Sequence, residues 1–274
     1  MSSTESGVWG VASVRTSFRP RFKAIFFDLD DTLMDDETAY RRALISTCDD
    51  LARDHGIDAA SVATKFLVVS EAFWTGLGTG GIPAARRSGS IDGEAIRLEL
   101  WEDAFAACCL DNGLAAPAAK AYGRHRRETY CVFPDAHVLL EAVHRKLTLG
   151  VITNTTAEFA LEKARLTGID RYFDLFVAST DVGVGKPDPA IFEHALRKAG
   201  VSAADAIHVG DRLDTDVAGA HAAGLTSVWL NRRGATRRPE QPLPHFEIAS
   251  LDELLSVVLA KPRTALQPGS PAKR

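Results

Sequence analysis

At 274 residues the chain is long for one domain and short for three. Hydrophobic residues at 46% and charged residues at 25% exclude a disordered chain, a collagen-like repeat and a multispanning membrane protein. The 32 basic residues against 36 acidic ones give a net charge of −4, without the basic excess of a nucleic-acid-binding domain. No apolar run reaches the ~18–20 residues that cross a bilayer. Neither a nucleic-acid nor a membrane partner is expected.

The first residues, MSSTESGVWGVASVRTSFRPRF, lack the long apolar core of a secretory signal. Cys48, Cys108, Cys109 and Cys131 make no CxxC pair and no zinc-ligand spacing, so they read as free thiols of a reducing compartment. The expected location is the cytoplasm, and the expected assembly a monomer or homodimer. Residues 1–21 and 261–274 read as loose tails, polar and without periodicity.

In chain order, short apolar runs alternate with helical stretches. Lys23–Phe27, Leu147–Thr153, Asp174–Ser179, Ala206–Gly210 and Thr226–Leu230 have the form of buried strands. Asp135–Lys146, Ala157–Thr167, Pro189–Ala199 and Thr215–Ala223 have helical form, and Gly168, Gly200 and Gly224 stand where helix-ending glycines belong. This alternation predicts an α/β fold, a parallel sheet with helices on both faces. Between Glu37 and Gly123 the alternation stops. Helices are predicted over Glu37–His55, Ala60–Gly76, Asp92–Cys109 and Pro117–Arg127, with the glycine-rich Gly76–Ser90 as a connection. The expected organisation is a core domain of residues 22–36 and 124–260, interrupted by an all-α module of residues 37–123. An insertion after the first strand enters near the sheet edge where open α/β folds bind ligands.

Polar residues collect at that same edge. The first strand runs into Asp28-Leu-Asp30-Asp31-Thr32, the second ends in Thr153-Asn154, Gly185-Lys186-Pro187 follows the third, and the fourth ends in Gly210-Asp211-Arg-Leu-Asp214-Thr-Asp216. Taken alone, the first group reads equally as a polar turn with an aspartate helix cap. Four such groups converging on one crevice supply carboxylates, a hydroxyl, an amide and a lysine, a set suited to a hard divalent cation and an anion such as phosphate. By contrast, Gly183–Lys186 lacks the first glycine and the Ser/Thr of a P-loop, and the eight histidines form no HExxH or HxH pair.

The ordered set DxDxT, Thr-Asn, Lys-Pro and GDxxxxD resembles the haloacid dehalogenase (HAD) superfamily, over about Phe22 to Leu259. FFDLDDTL, GKPDPAIFEHAL and VGDRLDTDVAGAHAAGL are most similar to its N-acylneuraminate-9-phosphatase and pyrimidine 5′-nucleotidase branch. The resemblance implies a Rossmann-like core with an all-α cap, and a Mg2+-dependent phosphatase acting on a small phosphate ester. It implies Asp28 as nucleophile, Asp30 as general acid and base, and Lys186 as the neutralising cation. Asp28, the Asp30 backbone carbonyl and Asp211 would hold Mg2+. Thr153 and Asn154 would contact substrate, and Asp216 would orient Lys186 or a metal-bound water. Members that expel halide lack the acid at Asp30, since halide leaves without a proton; a sugar-phosphate mutase keeps it, and a non-catalytic binding protein on this scaffold is the further alternative. Arg212 stands where Ser or Thr is frequent, facing either substrate or solvent. Phe73, Trp74, Arg97 and Trp101 are candidates for substrate choice, with ordinary helix packing as the competing reading.

Overall fold

The computed structural model describes residues 21–78 and 93–259. The expected tails, Arg21 apart, and residues 79–90 of the expected connection lie outside the described residues.

Six parallel strands form one sheet in the order β3-β2-β1-β4-β5-β6. They are β1 Ala24–Phe27, β2 Thr148–Thr153, β3 Leu175–Ala178, β4 Ala206–Gly210, β5 Thr226–Leu230 and β6 Phe246–Ile248. The helices are α1 Asp36–His55, α2 Ala59–Gly78, α3 Gly93–Ala107, α4 Ala115–Thr129, α5 Pro134–Val143, α6 Ala157–Thr167, α7 Ser179–Val182, α8 Pro189–Ala199, α9 Ala218–Ala222 and α10 Leu254–Leu259. This is an α/β, Rossmann-like architecture. Among the described residues no helix is long and apolar enough to cross a membrane.

β1 occupies the centre because all four of its residues are apolar and can be buried on both faces. Ala24 lies opposite Thr148 of β2 on one side and Ala206 of β4 on the other. Ile25 and Phe27 enter one core layer with residues of α5, α6 and α10, while Ala24 and Phe26 enter the opposite layer with residues of α8 and α9. α1–α4 enclose a third apolar cluster, in which the Phe66 ring lies 4.5 Å from Trp101 and 5.1 Å from Tyr122.

Local signals account for most boundaries. Asp35 caps α1 by accepting from Thr38 N, Thr156 caps α6 through Phe159 N, and Asp188 caps α8 with Pro189 behind it. Gly168 and Gly200 have φ of 71° and 66°, the left-handed conformation expected of them.

Some elements differ from expectation. β6 and α10 have no counterpart in the predicted elements, since a three-residue, partly buried edge strand gives no periodic pattern. The helix expected over Thr215–Ala223 is split into a wide π-type turn, Leu213–Val217, followed by α9. α2 continues to Gly78 through the first residues of the expected connection. α4 runs unbroken past residues 123 and 124, so the expected boundary falls inside a helix.

Gly150 in β2 is set by the ring of its neighbour: a Cβ there would lie 2.7 Å from Phe26 Cδ1 and 3.1 Å from Leu175 Cγ. Gly150→Val should therefore overpack the centre of the sheet and cost about 1–3 kcal/mol. Denaturant unfolding of the two proteins, read as a lowered midpoint at constant m-value, checks this.

Candidate active site

Every strand end that points at the crevice delivers a polar residue to it. Asp28 follows β1 directly, its N–H still bonded to Val209 O of β4. Beyond it the chain turns sharply through Asp31, whose φ is 58°, an αL conformation that aspartate tolerates. The Asp31 carboxylate accepts from Glu37 N at 3.0 Å, and Met34 bridges back to Val132.

Lys186 is 3% exposed and lies between two carboxylates, with Nζ 2.7 Å from Asp28 Oδ1 and 2.7 Å from Asp216 Oδ1. Burial disfavours its charge, but Asp216 and Asp28 outweigh burial and hold the ammonium well above its ordinary pKa. Asp216 is saturated: Oδ1 also takes His208 Nε2 at 3.0 Å, and Oδ2 accepts from Arg212 N at 3.1 Å. Its carboxyl lies below the usual range, the Lys186 and His208 partners overcoming burial. Asp216 thus lies against Lys186, one of the two partners expected for it.

Asp28, Asp211 and Asp216 each bring a carboxylate oxygen within 4.8 Å of the others. Asp211 is anchored through its backbone, its carbonyl accepting from Trp229 Nε1 at 2.9 Å. Among the described residues neither its carboxylate nor Asp28 Oδ2 has a hydrogen-bond partner. Burial, then the charge of Asp28, pushes Asp211 up to about 8. Burial and the neighbouring Asp216 and Asp30 push Asp28 up to about 7 against the pull of Lys186. Three carboxylates facing one ammonium leave a formal charge of −2. A hard divalent cation with oxygen ligands fits that deficit, and Asp28 and Asp211 are the residues with oxygens to give it.

Thr153, at the end of β2, is 2% exposed, and its Oγ1 accepts from Thr155 N at 3.4 Å. Asn154, expected to touch substrate, is otherwise engaged. Its Oδ1 accepts from Lys186 N at 2.6 Å and its Nδ2 donates to Lys186 O at 2.8 Å. Its place is to clamp the backbone that carries the lysine. Arg212 is 63% exposed and pairs with Asp214 through two nitrogens, at 2.9 and 3.2 Å.

Asp30 makes a separate cluster. Its Oδ1 lies 2.7 Å from Lys163 Nζ, which is also 2.8 Å from Asp36 Oδ1, and Asp36 Oδ1 in turn accepts from Arg126 at 2.7 Å. Burial and the nearby Asp36 raise the Asp30 pKa against Lys163. Asp36 resists burial through Lys163 and Arg126 and falls to about 2. Two acids and two bases leave this cluster formally neutral. The sequence alone assigns no site role to Lys163, Asp36 or Arg126, and the basic run 124–127 reads as a solvated helix face although Arg126 is 6% exposed; a signal exists all the same. Lys163 stands on the stripe Phe159, Ala160, Ala164 of α6, and Arg126 on the stripe Ala119, Tyr122, Gly123 of α4. A base on an apolar stripe marks a buried partner.

The four candidates for substrate choice separate. Trp101 is fully buried against Phe66 and Phe105. Arg97 is spent on Glu94 at 2.8 Å and Glu162 at 3.2 Å, over the Phe159 ring at 4.6 Å. Phe73 and Trp74 are half-buried against each other, with Trp74 6.2 Å from Phe159.

Residues 22–224 match the haloacid dehalogenase-like hydrolase family. The chain is 32% identical over 254 residues to the phosphoserine phosphatase of Thermus thermophilus, covering 85% of this chain and 97% of that one. It is 31% identical to the pyrimidine 5′-nucleotidase YjjG of Escherichia coli, over 84% of this chain and 95% of that one. The rat N-acylneuraminate-9-phosphatase is 29% identical, over 85% and 92%. Among solved structures, YfnB of Bacillus subtilis, a HAD-hydrolase bound to magnesium, aligns with a TM-score of 0.66 at 23% identity, over 86% of this chain and 98% of that one. A 2-haloacid dehalogenase of Pseudomonas syringae aligns with a TM-score of 0.63 at 29% identity, over 86% and 97%. The matched span contains β1–β4 and every residue of the two charge clusters, and the chain belongs to the haloacid dehalogenase-like hydrolases.

Proposed function

We propose that this enzyme is a Mg2+-dependent phosphatase that hydrolyses the phosphate monoester of a small metabolite through an aspartyl-phosphate. The observation that carries the reading is the pair of carboxylates at Asp28 and Asp30 in opposite electrostatic settings. One stands in a cluster short of two positive charges, the other in a neutral one.

In the first step an oxygen of Asp28 attacks phosphorus and the ester P–O bond breaks. Asp30 gives its proton to the leaving oxygen, so an alcohol departs and not an alkoxide. In the second step water attacks the aspartyl-phosphate, Asp30 takes the proton of that water, and inorganic phosphate leaves with Asp28 restored. Lys186 holds Asp28 in place and offsets phosphoryl charge, while Thr153 is the hydroxyl at the phosphate position. Asp28, the Asp30 carbonyl and Asp211 would hold the cation, which supplies positive charge to the phosphoryl oxygens and keeps Asp28 ionised. Asp216 keeps Lys186 oriented. Helices α1–α4, with their own aromatic cluster, serve as a cap over the core formed by the sheet and the remaining helices.

A phosphatase is favoured over a dehalogenase by Asp30. Halide leaves as a stable anion and needs no acid, whereas an alkoxide does. The relatives named as phosphatases or as a nucleotidase point the same way, and the differences between their names leave the substrate to be found.

With Mg2+ the protein should release inorganic phosphate from p-nitrophenyl phosphate or from members of a panel of phosphorylated metabolites. Chelation should abolish the release, and Asp28→Asn should lower kcat by at least ~10³-fold, since the nucleophile has no substitute. Full activity in Asp28→Asn would refute the reading.

The raised pKa of Asp211 makes a second prediction. A carboxyl held at about 8 in the fold favours folding below its ordinary pKa, and loses that contribution as pH rises from the ordinary value through about 8. Without metal, Asp211→Asn should therefore stabilise the protein at pH 8 by on the order of 1–3 kcal/mol, and do so less at pH 5. With Mg2+ the order should reverse, because the variant has lost a ligand. Thermal unfolding with and without Mg2+ at the two pH values measures both effects.

A further inference from the structure

The acid Asp30 is not left to solvent on the side away from the nucleophile. Lys163 reaches it from α6, 133 residues along the chain, with Nζ 2.7 Å from Oδ1. The lysine side chain is only 6% exposed, so its charge has been taken out of water at a cost that an apolar residue on the same stripe would avoid. Neighbours at the matching positions of that stripe, Phe159, Ala160 and Ala164, are apolar. One ammonium also serves Asp36 at 2.8 Å, and Arg126 holds Asp36 from the other side at 2.7 Å. Lys163 is thus fixed by a partner that is itself fixed. Among the described residues Asp30 Oδ2 makes no hydrogen bond, and Asp30 keeps 30% of its side chain exposed.

We propose that Lys163 is the positioning residue of the proton donor: it pins Asp30 by Oδ1 and leaves Oδ2 as the oxygen that exchanges a proton with the leaving group and then with water. This rests on the phosphatase reading above and adds a residue to it. In the step concerned, the ester P–O bond breaks, the Asp28 O–P bond forms, and the proton passes from Asp30 Oδ2 to the departing oxygen. A lysine that only stabilised the fold would affect all substrates alike. A lysine that places the acid matters in proportion to the leaving group's need for a proton.

The test compares kcat/KM, which reports the steps through phosphoryl transfer, for two substrates of the full-length protein with Mg2+. p-Nitrophenyl phosphate releases a phenolate that is stable unprotonated; glycerol 2-phosphate releases an alcohol that is not. Lys163→Met should lose about 10²–10⁴-fold on the alkyl ester and less than about tenfold on the aryl ester. Equal losses on both substrates would overturn the proposal. If Lys163→Met does not fold, Lys163→Arg carries the same comparison, since it keeps the charge but not a single nitrogen between the two carboxylates. A selective loss on the alkyl ester supports the proposal there too, and equal losses or none overturn it. Failure of the wild-type protein on both esters and on every phosphate ester of the panel would instead remove the phosphatase reading itself. Should the panel supply a working alkyl ester in place of glycerol 2-phosphate, that ester serves as the second arm.

Discussion

The site is organised by one buried ammonium. Lys186 sits between Asp28, 158 residues before it, and Asp216, 30 residues after it, with equal distances of 2.7 Å to both. It therefore ties the end of β1 to the turn after β4 from a position after β3. Burying such a charge is costly, and removing one partner of a buried ion pair costs about 3–5 kcal/mol. The surroundings are shaped to hold it. Asn154 clamps the Lys186 backbone on both sides. A Cβ at Gly185 would meet Asn154 Oδ1 at 2.6 Å, and one at Gly210 would meet Asp216 Cγ at 2.2 Å. The two glycines of the Gly-Lys and Gly-Asp pairs are thus demanded by close approach to the side chains that fix the lysine.

Around that centre the carboxylates fall into two groups with different formal charge. Asp28, Asp211 and Asp216 share one lysine, whereas Asp30 and Asp36 are matched by Lys163 and Arg126. The first group carries a formal charge of −2 and the second of zero. A nucleophile has to be an anion, and a proton carrier has to be able to be neutral. Under the proposed function, separation of the two environments over a stretch of three residues, Asp28 to Asp30, suits the two carboxylates to opposite duties.

Much of this was legible in the sequence, because the physics involved is local. A strand buried on both faces must be a continuous apolar run, so β1, β2, β4 and β5 stand out, and residues that break the run at its end are conspicuous. Asp28 and Asp211 emerge that way, each directly after its strand, while Lys186 and Asp216 lie farther on and stand out through the motifs that carry them. What stayed hidden depends on a partner far along the chain. An amide after a strand looks the same whether it turns to a ligand or, as Asn154 does, to the Lys186 backbone. Arg212 beside three aspartates gives no sign of which one it will pair with. Lys163 stands out on the apolar stripe of α6, but which carboxylates it meets is visible only once that stripe is known to face Asp30 and Asp36. β6 was missed for a different reason, since three edge residues are too few to show a period.

α6 carries exposed and buried charge contacts on one helix. At its rim, Glu162 and Glu94 meet Arg127, which is 40% exposed, so water screens these pairs and each is worth ~0–1 kcal/mol. Exposed Glu158 accepts from Gly93 N at 2.7 Å, and buried Phe159 lies so close to Gly93 that a Cβ there would stand 2.5 Å from its ring. Lys163, 6% exposed, holds Asp30 and Asp36, whose side chains are 30% and 17% exposed. Arg97 of α3, 4% exposed, meets Glu162 at 18%, so that contact is at least as shielded from water as the Lys163–Asp30 pair. Moving α3 and α4 away from α6 would leave Glu162 without Arg97 and Asp36 without Arg126, so the seating of these helices and the setting of Asp30 are coupled through one helix.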